Sequence, residues 1–353
     1  MHISYDECTA ILDQVREVRS GPLAAFLQRH DVHGVCVIAP GTEPVIQIQV
    51  LEHAVEKLAL GEPPFSTVFT YIFGHEEKLA RIEITMAPPA RAQGRPVNDD
   101  AARPGDPANG SWMAQFGTLG WTFYLNDVLV CMSNWHVFCA HGNNTPQNYP
   151  ILLSGSPKAL LYAYQPVYTR VANILDYALG KFIDPGDAAD VMRPCDDGRS
   201  YPYPGRLSEL GSVIANDGSQ YHKVGWPQRT CRTGQLLGVC DKKVSYDFGP
   251  VCQFRHQLMF GKMTCEGDSG AVIVRESDNS VTGLACAADS TYTFANPIFL
   301  ACWRRVNAPW RKDNESELPA FVGNVIPVIP PFPNSPLWPP PPLGLPAWIA
   351  ELL

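Results

Sequence analysis

The residues best suited to chemistry are a serine, a histidine and an aspartate far apart in the chain. Gly267-Asp268-Ser269-Gly270 stands in TCEGDSGAVIV, directly before an apolar strand pattern. A serine hydroxyl becomes a nucleophile when it projects from a tight turn, beside backbone N–H groups that can hold a developing oxyanion. Gly267 permits the backbone to approach closely, and Gly270 leaves room beside a reacting carbonyl. An ordinary strand-joining turn would accept the same four residues. Such a serine needs a base, and LVCMSNWHVFC supplies His136 at the end of an apolar strand, with Ser133 and Asn134 just before it. A lone histidine there is more often packed than catalytic. The third member should be a largely buried carboxylate that orients the imidazole. Asp176 fits, as a single acid set among Ile174, Leu175, Ala178 and Leu179. An unpaired carboxylate in such surroundings is costly, so it should have a partner.

The elements that must position these residues are mostly strands. From Ser111 to about Pro309, short apolar stretches alternate with Gly, Asn, Asp and Pro, and helical periodicity is scarce. TFYLNDVLVCMSNW reads as a hairpin turning at Asn126-Asp127. PILLSG, ILDYALGKF, HKVGW, GQLLGVC, AVIVRE, SVTGLACAA and TYTFA add further strands, a pattern that predicts an all-β sandwich or barrel. Residues 1–87 read as a small α+β domain, with helical spacing up to about His30, strands over Val32 to Ile38 and Val45 to Val50, a short helix over His53 to Leu60, and the runs FSTVFTYIF and LARIEITMA. Residues 88–110 hold several turn formers, with Val97 the one sizeable apolar side chain, and predict an exposed linker. Residues 310–353 form a tail with ten prolines between Pro327 and Pro346, which must be extended or irregular. That tail could lie across the protein's own surface or dock on a partner.

The order His136, Asp176, Ser269, the strand leading to His136, the D-x-A-L pattern at Asp176 and the GDSG turn together resemble the chymotrypsin-like serine peptidases. Their fold is a pair of six-stranded β-barrels, and the match covers roughly residues 111 to 305. Gly117-Thr118-Leu119-Gly120, Ser133-Asn134-Trp135-His136-Val137 and the stretch from Gly283 to Ile298 are similar to a narrower bacterial group related to the narrow-leaf peptidases of plants. The resemblance implies a mainly β, two-barrel fold behind a small α+β domain. It implies Ser269 as nucleophile, His136 as base and then acid, Asp176 as the orienting carboxylate, and an oxyanion hole from the amides of Gly267 and Ser269. In zymogen-type relatives the acid at the place of Asp268 pairs with a newly cut amino terminus; here a local turn cap is the other reading. Met263 stands at the base of the specificity pocket by this resemblance and Ala288 on a strand lining it, which argues against cleavage after Lys or Arg. Lys223-Val224-Gly225 is followed by Trp226-Pro227, where relatives carry a run rich in glycine and threonine, so this loop should be reshaped. The resemblance extends the expectation to a narrow, regulated endopeptidase with a dedicated protein target in bacterial defence. A catalytically degenerate scaffold and an esterase are the alternatives.

Composition narrows the partners. Lys and Arg number 27 against 35 Asp and Glu, a net charge of −8 in 353 residues, so the average field repels nucleic acid and anionic lipid. The first twenty residues hold no apolar run of export-signal length, and no stretch approaches a membrane span, which predicts a cytoplasmic protein. Eleven cysteines then read as mostly reduced, buried small residues. Cys131, Cys139 and His141 match no common zinc spacing, and glycine-rich phosphate loops are absent, so neither metal nor cofactor is expected. The expected partner is a protein or peptide substrate, with further docking through the tail or the N-terminal domain.

Overall fold

The computed structural model describes residues 3–29, 32–40, 43–51, 65–86, 90–91, 102–110, 116–125, 128–139, 141–170, 172–189, 191–226, 232–246, 251–300, 305–306 and 316–317. The architecture is mainly β. One seven-stranded antiparallel sheet runs, in spatial order, through Gly117–Thr118, Pro107–Gly110, Pro150–Leu153, Ser156–Tyr164, Ala178–Phe182, Val128–Ser133 and Trp121–Leu125. Its first and last strands are separated in sequence only by Leu119 and Gly120. Both ends of the sheet must therefore meet, and the Gly120 amide donates to the Met132 carbonyl at 2.8 Å where they do. Counting that bent strand once leaves six strands closed into a barrel.

The larger sheet repeats the device. Arg232–Gly234, Tyr221–Lys223, Val272–Arg275, Ser280–Ala288, Tyr292–Asn296, Val251–Gly261 and Leu236–Ser245 lie side by side, and only Gln235 separates the first from the last. These strands curl into a second barrel. Curling of this kind pairs most strand edges within each unit, which is how such short strands become stable.

The described residues of 3–86 continue the sheet of the second barrel. Val32–Ile38 pairs antiparallel with Leu236–Ser245, and Val45–Val50, Glu76–Met86 and Val68–Phe73 extend the same sheet outward. At this seam a Cβ on Gly238 would stand 1.8 Å from the Val37 carbonyl oxygen, so only glycine lets the two strands close. The helix Tyr5–Glu17 starts where Ser4 Oγ accepts from the Glu7 amide at 3.1 Å, and buries Tyr5, Cys8, Ile11, Leu12 and Val15. Those side chains share one core with Leu236, Leu258, Phe260 and Ile273 of the second barrel. The expected α+β segment over 1–87 is thus attached to that barrel, its strands continuing the barrel's sheet and its helix sharing the barrel's core.

The exposed linker over 88–110 is corrected at its C-terminal end. Ala102, Asp106 and Ala108 are fully buried, and Pro107–Gly110 is a strand of the first barrel. Asp106 supplies the reason: it pairs with Arg193, accepts from the Arg103 amide at 2.7 Å and accepts the Leu119 amide through its carbonyl at 2.7 Å. The turn at Asn126-Asp127 and the helix over His53 to Leu60 lie outside the described residues, as does the Pro-rich tail apart from Ser316–Glu317. Among the described residues no helix is long and apolar enough to cross a membrane.

Candidate active site

His136 and Asp176 are brought together by strand pairing. His136 lies in the single-turn helix Trp135–Phe138, directly after Val128–Ser133, while Asp176 precedes Ala178–Phe182. These strands are antiparallel neighbours with Ser133 facing Ala178, so the two side chains leave the same end of the same ladder. His136 Nδ1 stands 2.6 Å from Asp176 Oδ2, and the His136 amide donates to Asp176 Oδ1 at 3.3 Å. Asp176 is completely buried, and its charge is met by a third donor that the sequence did not disclose. The Tyr246 hydroxyl donates to the same Oδ2 at 2.8 Å, with its ring 5.0 Å from the imidazole. Burial, and then the Asp176 charge, drive the Tyr246 pKa well above its ordinary value, so it stays a donor.

Asn296 fixes the backbone of the same aspartate. Its Oδ1 accepts the Asp176 amide and its Nδ2 donates to the Asp176 carbonyl, both at 2.9 Å. Asn134, next to the histidine, donates to the Ala285 carbonyl of the second barrel at 2.7 Å. The dyad therefore belongs to the first barrel and is clamped by residues of the second.

Ser269 sits in a turn that both barrels grip. Gly267 and Gly270 have φ of +97° and +94°, the left-handed region that glycine occupies without strain. The Thr118 amide donates to the Ser269 carbonyl and Thr118 Oγ1 to the Gly267 carbonyl, both at 2.7 Å. A Cβ on Gly117 would lie 2.5 Å from both the Ser269 carbonyl oxygen and Val137 Cγ2, so the residue after His136 packs against the serine turn. This close packing is the structural use of the Gly117-Thr118 motif. Trp226 replaces the expected glycine and threonine run, and its amide donates to Thr118 Oγ1 at 3.1 Å; Pro227 lies outside the described residues.

The Ser269 hydroxyl donates to the Cys286 carbonyl at 3.2 Å. His136 Nε2 is buried and has no hydrogen bond among the described residues, so the bond expected between imidazole and serine hydroxyl is not formed in this structure. Such bonds are commonly long without substrate and tighten when one binds.

Asp268 has a local cationic partner through one of its two oxygens, while Oδ1 is buried without a hydrogen bond among the described residues. Its Oδ2 accepts from the Lys223 ammonium, and also from the Cys265 amide at 2.7 Å. Lys223 and Asp268 are 0% and 1% exposed, which makes them a fully buried ion pair. Lys223 stands in the Lys-Val-Gly stretch, on the strand Tyr221–Lys223. A lysine inside a strand gives no sign of its partner until the fold brings one.

Met263 is fully buried, packed in the core with Tyr221, Phe260 and Ala271, and offers no surface to a ligand. Ala288 lies at the end of Ser280–Ala288, two residues beyond Cys286. Cys131, Cys139, Cys265 and Cys286 are among the eight free cysteines of the described residues, and burial pushes each of these four thiols up. Cys195 is disulfide-bonded. A cavity of about 820 Å³ lies elsewhere, beneath the N-terminal helix, lined by Asp13, Arg16, Asp241 and His256 and by none of the three candidate residues.

No protein-family model matches the chain, and no curated protein matches it. Among solved structures it is similar to the Nocardiopsis protease NAPase, at 13% identity and a TM-score of 0.43, over 59% of this chain and 98% of that one. It is also similar to Thermobifida fusca protease A, at 15% identity and a TM-score of 0.40, over 56% and 92% of the two chains. Cellulomonas bogoriensis chymotrypsin gives 15% identity and a TM-score of 0.37 over the same two shares.

Proposed function

We propose that this chain is a serine endopeptidase working through an acyl-enzyme on Ser269. The observation that carries the reading is the buried Asp176 held against His136 Nδ1 at 2.6 Å, in a clamp that also packs against the Ser269 turn. A carboxylate in that position fixes the tautomer with the proton on Nδ1, which leaves Nε2 as the basic nitrogen. In the reaction, Nε2 takes the Ser269 proton as the oxygen attacks the peptide carbonyl. The imidazolium then protonates the leaving amine, and water repeats the sequence to release the acyl group. The developing oxyanion is assigned to the amides of Gly267 and Ser269, on a turn whose glycine conformations suit that task. Lys223 supplies an internal partner for Asp268, which we read as standing in for a proteolytically freed amino terminus. The residue at the place of Met263 is not an acid and the buried Asp289 carboxylate is paired with Lys242, so by the resemblance we read the preference as apolar or small.

The test is labelling by an alkyl fluorophosphonate: the wild type should be modified at Ser269, and Ser269→Ala and His136→Ala should not. One observation favours a second reading, a non-catalytic scaffold, namely the Ser269 hydroxyl given to Cys286 while His136 Nε2 is unbonded. An unlabelled wild type, alone and with candidate peptides, would establish that scaffold instead.

A further inference from the structure

The strand Ser280–Ala288 has an edge that changes owner along its length. Val272–Arg275 pairs with it only as far as Leu284. Ala285 is next engaged by the backbone of the serine turn, its carbonyl accepting the Gly270 amide at 2.7 Å and its amide donating to the Ala271 carbonyl at 2.8 Å. The Cys286 carbonyl then receives the Ser269 hydroxyl. Beyond it, Ala288 is paired antiparallel with Arg91, from the two-residue strand Ala90–Arg91, which also pairs in parallel with Val244 and Ser245, next to Tyr246.

The pairing with Tyr292–Asn296 slips at Cys286, which turns the Ala285 and Cys286 carbonyls to the serine turn; at Ala288 Thr293 holds one edge, so Arg91 lies on the other, the edge that faces Ser269. Because the pairing is antiparallel, the chain direction at Arg91 points from Ala288 back towards Cys286 and Ser269. An extended peptide presenting a carbonyl to Ser269 along this strand would add itself to the same edge by main-chain hydrogen bonds. We infer that Ala90–Arg91 is a cis-acting pseudosubstrate strand, occupying the peptide-docking edge at Ala288 with the chain's own backbone and restraining access of long peptides to Ser269. This rests on the peptidase reading above and adds its regulation. A tethered strand competes at an effective concentration in the millimolar range, so an untethered peptide must displace it before it can bind. The recognition is by backbone, so the occupant's amide matters and its side chain does not.

The experiment uses the full chain and two probes, an alkyl fluorophosphonate and a pool of tetrapeptidyl phosphonates varied at the residue next to phosphorus. Arg91→Pro removes the strand amide, whereas Arg91→Ala keeps it. The small probe should label wild type and both variants at equal rates. The peptidyl pool should label Arg91→Pro about tenfold faster than wild type, the return from about 1.4 kcal/mol of strand pairing, while Arg91→Ala follows wild type. Equal peptidyl rates in wild type and Arg91→Pro overturn the proposal. Loss of small-probe labelling in all three proteins instead overturns the peptidase reading, and amide exchange then decides the strand. The peptide spanning residues 284–289 should exchange faster in Arg91→Pro than in wild type whatever Ser269 does, and unchanged exchange refutes the pairing.

Discussion

Lys223 and Asp268 form an ion pair from which solvent is excluded on both sides, one residue ahead of the candidate nucleophile. Removing one member of such a pair leaves a buried charge with no opposite charge, at a cost of about 3–5 kcal/mol. Lys223→Met should therefore lower stability by about that amount and abolish labelling of Ser269. The double variant Lys223→Met/Asp268→Asn should regain most of the stability, since no naked charge remains. Urea denaturation of the three proteins measures this, and a loss below about 1 kcal/mol in Lys223→Met would contradict it.

Tyr246 shares Asp176 with His136, which makes it the cleanest probe of the dyad. Tyr246→Phe keeps the ring against the imidazole and deletes one hydrogen bond to a carboxylate, an interaction of about 1.5–3 kcal/mol. Peptide hydrolysis should fall by about tenfold or more, with the pH–rate profile displaced because the charge facing His136 is less well held. Asp176→Asn should be more severe, by about 10⁴ in kcat, through the wrong tautomer. A wild-type profile in Tyr246→Phe would remove the tyrosine from the site's machinery.

Gly117 has an ordinary backbone conformation, so a side chain there acts only through contact. In Gly117→Ala the added carbon would meet both the Ser269 carbonyl oxygen and Val137 at 2.5 Å. Overpacking of this kind costs about 1–3 kcal/mol, and a displacement of the reacting group by about 1 Å costs about 10² in rate. Turnover should thus fall much further than the melting temperature. Parallel losses of both would mean general unfolding instead of a moved nucleophile.

His222 gives stability a pH dependence. Burial holds its imidazole down at about 4, where it stacks on Tyr201 at 3.6 Å with Glu276 Oε1 3.7 Å from Nδ1. The unfolded chain takes up this proton near pH 6.5, while the folded chain refuses it until about pH 4. Stability that is complete above about pH 6.5 is consequently lost as pH falls to about 4, by at most about 3 kcal/mol, with no further loss from this group below that. His222→Phe should flatten the dependence of the urea midpoint across this window, and an unchanged slope would remove His222 as its source.

The chain order of histidine, aspartate and serine, the glycines around Ser269 and the run of short apolar strands were all legible in the sequence, because each is a local pattern. Asp176 could be chosen since a lone acid among apolar residues must be paired. Tyr246, Asn296 and Lys223 were not legible: each contacts the site across 45 to 120 residues of chain, from positions with no local peculiarity. Residues 102–110 misled because turn formers read as exposed, whereas Asp106 buries them through Arg193.

By itself the amino-acid sequence determined which side chains could do the chemistry and that strands would carry them, since nucleophile turns and strand periodicity are set by neighbouring residues. Tertiary structure decided the rest. Strand closure brought Asp176 under His136, the second barrel supplied the clamp, and the N-terminal strands continued that barrel's sheet. It also decided where Ala90–Arg91 lies, because a backbone edge has no sequence signature until another strand is placed beside it.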